Sequence, residues 1–247
     1  MAPYIYGVKN SLHIIDLTQT AILLNEAVKV VKSVVKKGGK VLFVCTKKQG
    51  SESVAEAAKA CGQYYVNNKW LGGMLTNWKT ISQSIKRLKQ IEAELADPEA
   101  DLTKKERLLL DRQREKLDKN LAGIRTMNGR PDLIVIIDTN REVLAIQEAR
   151  NLNIPIMATL DTNCDPDVVD YPIPGNDDSI KAIKLYCRVF VDAISGIVSK
   201  MQEEKGAKKE ENNKKGKAAK SLDKKKETVV KNSKKPKTSF TKTNEKL

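Results

Sequence analysis

Short, almost continuously apolar runs recur along the chain, each followed by a segment with helical spacing. KVLFVCT (Lys40–Thr46), LIVII (Leu133–Ile137) and NIPIMATLD (Asn153–Asp161) have the length of strands, and they lack the polar alternation of a half-exposed one. Such runs suit strands buried on both faces, and their alternation with helices predicts a parallel sheet covered on both sides. LHIIDL (Leu12–Leu17) and QYYVNN (Gln63–Asn68) read as further strands. The first helix carries Ile22, Leu23, Ala27, Val30, Val31 and Val34 at apolar spacing. It stops at Lys36-Lys37-Gly38-Gly39, where basic charge meets the negative end of the dipole. A second helix is expected from about Ser51 to Cys61, and a last one from Asp177-Asp178-Ser179 to about Met201. Thr139 and Glu142 have the spacing of a capping box at another helix start.

One stretch, Asn77 to Gly123, interrupts this rhythm with two charged helical segments around Asp97-Pro98. Ile81, Ile85, Leu88 and Leu95 share one stripe of the first, and Leu110, Leu117, Leu121 and Ile124 one stripe of the second. Thr103 and Glu106 form a second capping box. The pattern predicts an antiparallel hairpin with a coiled-coil-like seam, inserted at 77–123 into a sheet domain made of 1–76 and 124–201.

The chain has 247 residues and a formal net charge of +14. Residues 202–247 hold +9 of this, in a Lys-rich segment with too few apolar residues for a core, expected to be disordered. It reads either as a solubilising tail or as an arm drawn to phosphate without base preference. The remaining body carries only +5. No run approaches the ~18–20 apolar residues of a membrane span. APYIYGVKN after Met1 lacks the basic start and apolar core of a secretory leader. A soluble intracellular protein with a polyanionic partner is expected. Cys45, Cys61, Cys164 and Cys187 form no CxxC pair, so reduced, buried thiols are expected rather than disulfides or a thiolate zinc site. His13 is the lone histidine, in a strand-like run, and no GxSxG accompanies it.

A doubly wound sheet raises the question of a nucleotide-dependent enzyme. The turn after KVLFVCT reads KKQGSES, with neither GxGxxG nor GxxxxGK[ST]. It does place Lys47 and Lys48 at a helix N-terminus, which suits an anion. KWLGGMLTNW (Lys69–Trp78) holds both tryptophans, with Lys69 and Lys79 at its flanks, Thr76 and Asn77 as donors and two glycines between. A basic loop with amides and rings suits RNA phosphates, riboses and unstacked bases, while Trp70 and Trp78 also suit a core anchor. From Asp161 to Ser179, Asp161, Asp165, Asp167, Asp170, Asp177 and Asp178 alternate with Pro-rich turns. This cluster can hold a hard divalent ion or cap turns and the last helix. A protein–protein adaptor working through the hairpin is a third reading.

Four blocks together resemble the bacterial-type small ribosomal subunit protein two family: YIYGVKNSLHIIDLTQT, GQYYVNNKWLGGMLTNWKTI, PDLIVIIDTNREVLAIQEARNLNIPIMATLDTN and DYPIPGNDDSIKAIKLY. They lie in order from about Pro3 to Ser199, and KWLGGMLTNW resembles the bacterial and organellar branch. The resemblance implies an α/β, flavodoxin-like parallel sheet with a protruding coiled-coil hairpin. It implies a non-catalytic structural protein bound to small-subunit rRNA and to neighbouring ribosomal proteins, including the large mRNA-binding one. Neither a membrane partner nor a homo-oligomer is expected. The expected setting is the bacterial cytoplasm, or a mitochondrial or plastid ribosome. The resemblance also implies an acidic metal arrangement at Asp161, Asp177 and Asp178, completed by a histidine in an N-terminal segment. Members carry that segment, with a GVHFGH-like motif and an RWNPK run, ahead of the position matching Met1. This sequence resembles one that starts just after it. No cofactor beyond a structural divalent ion is expected. The residues expected to meet rRNA are Lys47, Lys48, Lys69, Trp70, Asn77, Trp78, Lys79 and Arg87.

Overall fold

A computed structural model of the chain describes residues 1–97 and 102–201. The expectation for 202–247 lies outside these. Met1–Val198 forms one compact unit. Within it, two strands form a separate antiparallel ribbon: β1 (Ile5–Lys9) and β2 (Leu12–Ile15). Their turn residues Asn10 and Ser11 have φ of 51° and 60°, as the tight two-residue hairpin with a right-handed strand twist requires. LHIIDL is thus a strand only to Ile15, and it pairs outside the main sheet. Asp16 caps α1 (Leu17–Lys36) by accepting from the Thr18 N–H at 2.9 Å.

The main sheet contains β3 (Val41–Val44), β4 (Tyr64–Val66), β5 (Leu133–Ile137), β6 (Ile156–Leu160) and β7 (Tyr171–Pro174), in the order β4-β3-β5-β6-β7. Every pairing is parallel. This is the flavodoxin-like order, which reverses direction between β3 and β5. YPIP, within the stretch expected to form Pro-rich turns, is β7, an edge strand, where proline's missing N–H breaks no ladder.

The pleat sorts the core into two layers. Leu42, Val44, Ile134, Ile136, Ile156 and Ala158 point to one face, with Trp70, Met74, Leu75, Ile81 and Leu121 packed on them. Val41, Phe43, Leu133, Val135, Ile137 and Met157 point to the other. That face is covered by α1, by α2 (Lys48–Ala60) and by a last helix, α6, described over residues 180–201. Its Phe190 ring lies 6.4 Å from that of Phe43. All four cysteines are buried free thiols, and burial raises Cys45 to about 11 and Cys187 to about 12.

The interrupting stretch contains α3 (Trp78–Ala96) and α4 (Lys104–Leu121), which pack on each other. The Thr103–Glu106 capping box is present in both directions. Ile81, Ile85, Leu88 and Ile91 are the buried residues of α3, so Ile91 takes the place expected for Leu95. Gly123 follows α4 where an added Cβ would collide with the Tyr65 carbonyl. Close backbone approach therefore excludes a side chain there.

The other expected capping box is absent. α5 spans Val143–Asn151, with Glu142 at its N-cap position but no side-chain cap bond. The Glu142 carboxylate instead accepts from the Thr46 N–H at 2.7 Å, linking the ends of β3 and β5. Burial pushes that carboxyl up, partly offset by the Thr46 bond. Thr139 Oγ1 is buried without a protein partner. A tertiary contact outcompetes the local cap here. Nor do Asp177 and Asp178 cap the turn before α6: Asn176 Oδ1 accepts from the Asp178 and Ser179 N–H groups.

Candidate nucleic-acid interface

KWLGGMLTNW connects β4 to α3 without regular structure, so its backbone N–H groups need partners other than a helix or strand ladder. The Met74 and Asn77 N–H groups bond to the Leu71 and Gly73 carbonyls within the loop, and those of Gly73, Leu75 and Thr76 converge on one side chain. Glu148 of α5, only 8% exposed, accepts five hydrogen bonds: Oε1 from the Trp70 indole at 3.1 Å and the Gly73 N–H at 2.7 Å, Oε2 from the Leu75 and Thr76 N–H groups at 2.9 and 3.0 Å and the Thr76 hydroxyl at 3.0 Å. Gly73 has φ of +83°, a conformation glycine adopts without a Cβ penalty. Burial pushes the Glu148 carboxyl up. The donors from Thr76, Leu75, Trp70 and Gly73 outweigh this and hold it below the usual carboxylate range. Neither composition nor motif marks Glu148. The available sign is its place between Ala145 and Ala149 on the apolar stripe of α5.

The clamp sorts the expected RNA contacts. Trp70 is buried with its N–H bound to Glu148, and Trp78 packs half-buried against the same core layer. Both rings anchor the loop. Lys69, Asn77 and Lys79 stand exposed around it, as does Lys48 on α2. Thr80 donates its hydroxyl to Asn77 Oδ1. Arg87 is half-exposed and paired with Glu94 at 3.2 Å.

Lys47 is placed differently. Its ammonium is turned into the protein, 2.6 Å from Asp178, 2.8 Å from Asp177 and 3.3 Å from Asp138. Burial would lower its pKa, but the bonds to Asp177 and Asp178 outweigh that and hold it above its usual value. Asp138, at the end of β5, has φ of +69°, a left-handed conformation that aspartate tolerates better than most residues.

The acidic groups read as a metal arrangement do converge. Asp161, Asp177 and Asp178 each bring a carboxylate oxygen within 4.8 Å of the others, as do Asp138, Cys164 and Asp177 in donor atoms. The Lys47 ammonium is already bonded to two of the first set. A divalent ion on Asp177 and Asp178 would have to displace it, so the set does not fit a metal with Lys47 in place. The bonded groups at this end of the strands join loops to one another.

The fold and loop define an α/β protein whose polar centre positions an exposed basic loop. A family profile described as Ribosomal protein S2 matches residues 1–196. The small ribosomal subunit protein uS2 of Mesorhizobium japonicum is 60% identical over 198 residues, covering 80% of this chain and 76% of that protein. Its counterpart in Chelativorans sp. is 58% identical over 198 residues, covering 80% and 74%. The Brucella ovis protein is 56% identical over 202 residues, covering 82% and 80%. The chain belongs to the ribosomal protein S2 family. It is a ribosomal structural protein and not an enzyme.

Proposed function

We propose that the chain is built into the small ribosomal subunit, where it holds small-subunit rRNA and neighbouring proteins. The supporting observation is the Glu148 clamp, which anchors the loop's tryptophans and leaves Lys69, Asn77 and Lys79 outward. Lys48, Lys69, Asn77 and Lys79 are the proposed rRNA contacts, reading phosphate position and shape rather than sequence. Arg87 joins them: its exposed ion pair with Glu94 is worth under ~1 kcal/mol and exchanges readily for phosphate. Trp70 and Trp78 serve as anchors. The resident cation of the acidic cluster is Lys47 rather than a metal.

The α3–α4 pair of segment 77–123 acts as a projecting hairpin, whose exposed Leu108 and Leu109 suit contact with other ribosomal proteins. Docking of the large mRNA-binding subunit protein belongs to this reading. The +9 of residues 202–247 adds sequence-independent attraction to phosphate. A bacterial cytoplasmic ribosome is the setting supported by the bacterial relatives, with an organellar ribosome as the alternative. No helix among the described residues is long and apolar enough to cross a membrane.

Replacing Lys69 and Lys79 together by alanine is expected to weaken rRNA binding and reduce the salt slope of log K by about 2. Filter binding across a salt series measures this, and an unchanged slope removes both lysines as phosphate contacts. Both are exposed, so melting temperature should stay within experimental error.

A further inference from the structure

The strand order reverses between β3 and β5, and in open α/β sheets ligands settle in the crevice beyond the strand ends at such a point. Here that crevice is divided. On one side Lys47 is bonded to Asp138, Asp177 and Asp178. On the other lies a cleft of about 460 Å³ whose lining includes Thr46, Asn68, Lys69, Arg141, Glu142 and Leu144. Lys69 and Arg141 are exposed, and neither is held in a salt bridge among the described residues. Leu144, 55% exposed, offers an apolar surface beside them. Asn68 and the Thr46–Glu142 link supply polar groups at the same cleft.

We infer that this cleft takes one unstacked nucleotide of RNA, its phosphate between Lys69 and Arg141 and its base against Leu144. The inference rests on the rRNA-binding reading above and adds a defined pocket and a residue, Arg141, to it. Two exposed cations outside any salt bridge among the described residues suit a single phosphate diester, although Arg141 also acts through space on the Glu142 carboxylate. RNA-binding proteins hold splayed-out bases on apolar or planar surfaces flanked by polar groups. A free nucleoside triphosphate is disfavoured. The β3–α2 turn has no glycine-rich phosphate loop, and its lysine at position 47 is bonded to carboxylates. Arg141 is hard to find from sequence because it sits inside TNRE, which reads as a capping box.

The test uses the full chain with small-subunit rRNA, followed by hydrogen exchange and filter binding, with adenosine monophosphate alone as a second ligand. rRNA should protect segments 68–70 and 141–146. Combining Lys69→Ala with Arg141→Ala should weaken rRNA binding about tenfold, lower the salt slope by about 2 and leave melting unchanged. Leu144→Ser should weaken binding without changing the slope. If rRNA binds the wild type but neither Arg141→Ala nor Leu144→Ser alters affinity and 141–146 stays unprotected, the cleft assignment is overturned while the wider reading stands. If the wild type fails to bind rRNA, both fall. If adenosine monophosphate alone protects the cleft at micromolar concentration, the site takes a free nucleotide and the RNA assignment is overturned.

Discussion

Glu148→Ala is expected to destabilise the protein by about 3–5 kcal/mol, the range for removing a buried charged acceptor and leaving its donors unpaired. Three backbone N–H groups, the Trp70 indole and the Thr76 hydroxyl all converge on this carboxylate. Water cannot readily reach the Trp70 and Leu75 donors, which are buried, while the exposed Thr76 is open to it. For a domain of this size the melting temperature should fall by roughly 10 °C. Glu148→Gln keeps the shape but offers one acceptor oxygen and two N–H groups to a ring of donors, so it should fall between alanine and wild type. Acid unfolding supplies an independent check. The folded carboxyl lies below its ordinary value of 4.5, so its contribution is fully present above that value. It is lost as pH falls through the folded pKa. Glu148→Ala should therefore show a shallower loss of stability on acidification than wild type. Near-wild-type melting of Glu148→Ala would mean that the loop is held by its apolar contacts alone. Because the loop carries Lys69 and Asn77, rRNA affinity should fall with the clamp.

The second large effect is expected at Lys47. Lys47→Met removes the positive charge from a cluster whose Asp177 and Asp138 side chains are only 5% and 13% exposed. Leaving such carboxylates uncompensated costs about 3–5 kcal/mol. The Asp178 contact adds little, since that side chain is 68% exposed. The folded pKa of Lys47 lies above the usual 10.5. Its contribution is therefore complete at neutral pH and is lost only as pH rises through the folded value. Wild-type melting should be indifferent to chelator and to millimolar magnesium or zinc. Lys47→Met should recover part of its loss when the ion is added, because Asp161, Asp177 and Asp178 converge closely enough to take it. A stoichiometric metal in the purified wild type, removed by chelator with a fall in melting temperature, would show that an ion and not Lys47 neutralises the cluster.

The sheet was legible because its strands are buried on both faces. LIVII and VLFV carry no polar residue, and runs of that kind have few other homes. Elements that depend on distant partners were not. The β1–β2 ribbon turns on Asn10-Ser11, a weaker signal than Asn-Gly. The Thr139–Glu142 box has ideal spacing, yet Glu142 bonds Thr46, which is far away in sequence. Ile22 fits the apolar stripe of α1 but is 58% exposed. The basic loop announced itself through its lysines, tryptophans and glycines. What holds it did not, because a glutamate on a helix reads as a solvated charge until the fold shows the donors facing it. Lys47 has the same history: a lysine at a helix start suggests an anion, and the anions proved to be aspartates of this chain.

The family blocks run through the body and the positive tail lies beyond them, so the subunit assignment turns on the folded body and not on net charge. Sucrose-gradient sedimentation of the tagged full chain with small ribosomal subunits, repeated at rising salt, tests this most directly. The expected result is co-migration with the small subunit at low salt and progressive release as salt screens the phosphate contacts. A chain that stays at the top of the gradient even at low salt would contradict the assignment.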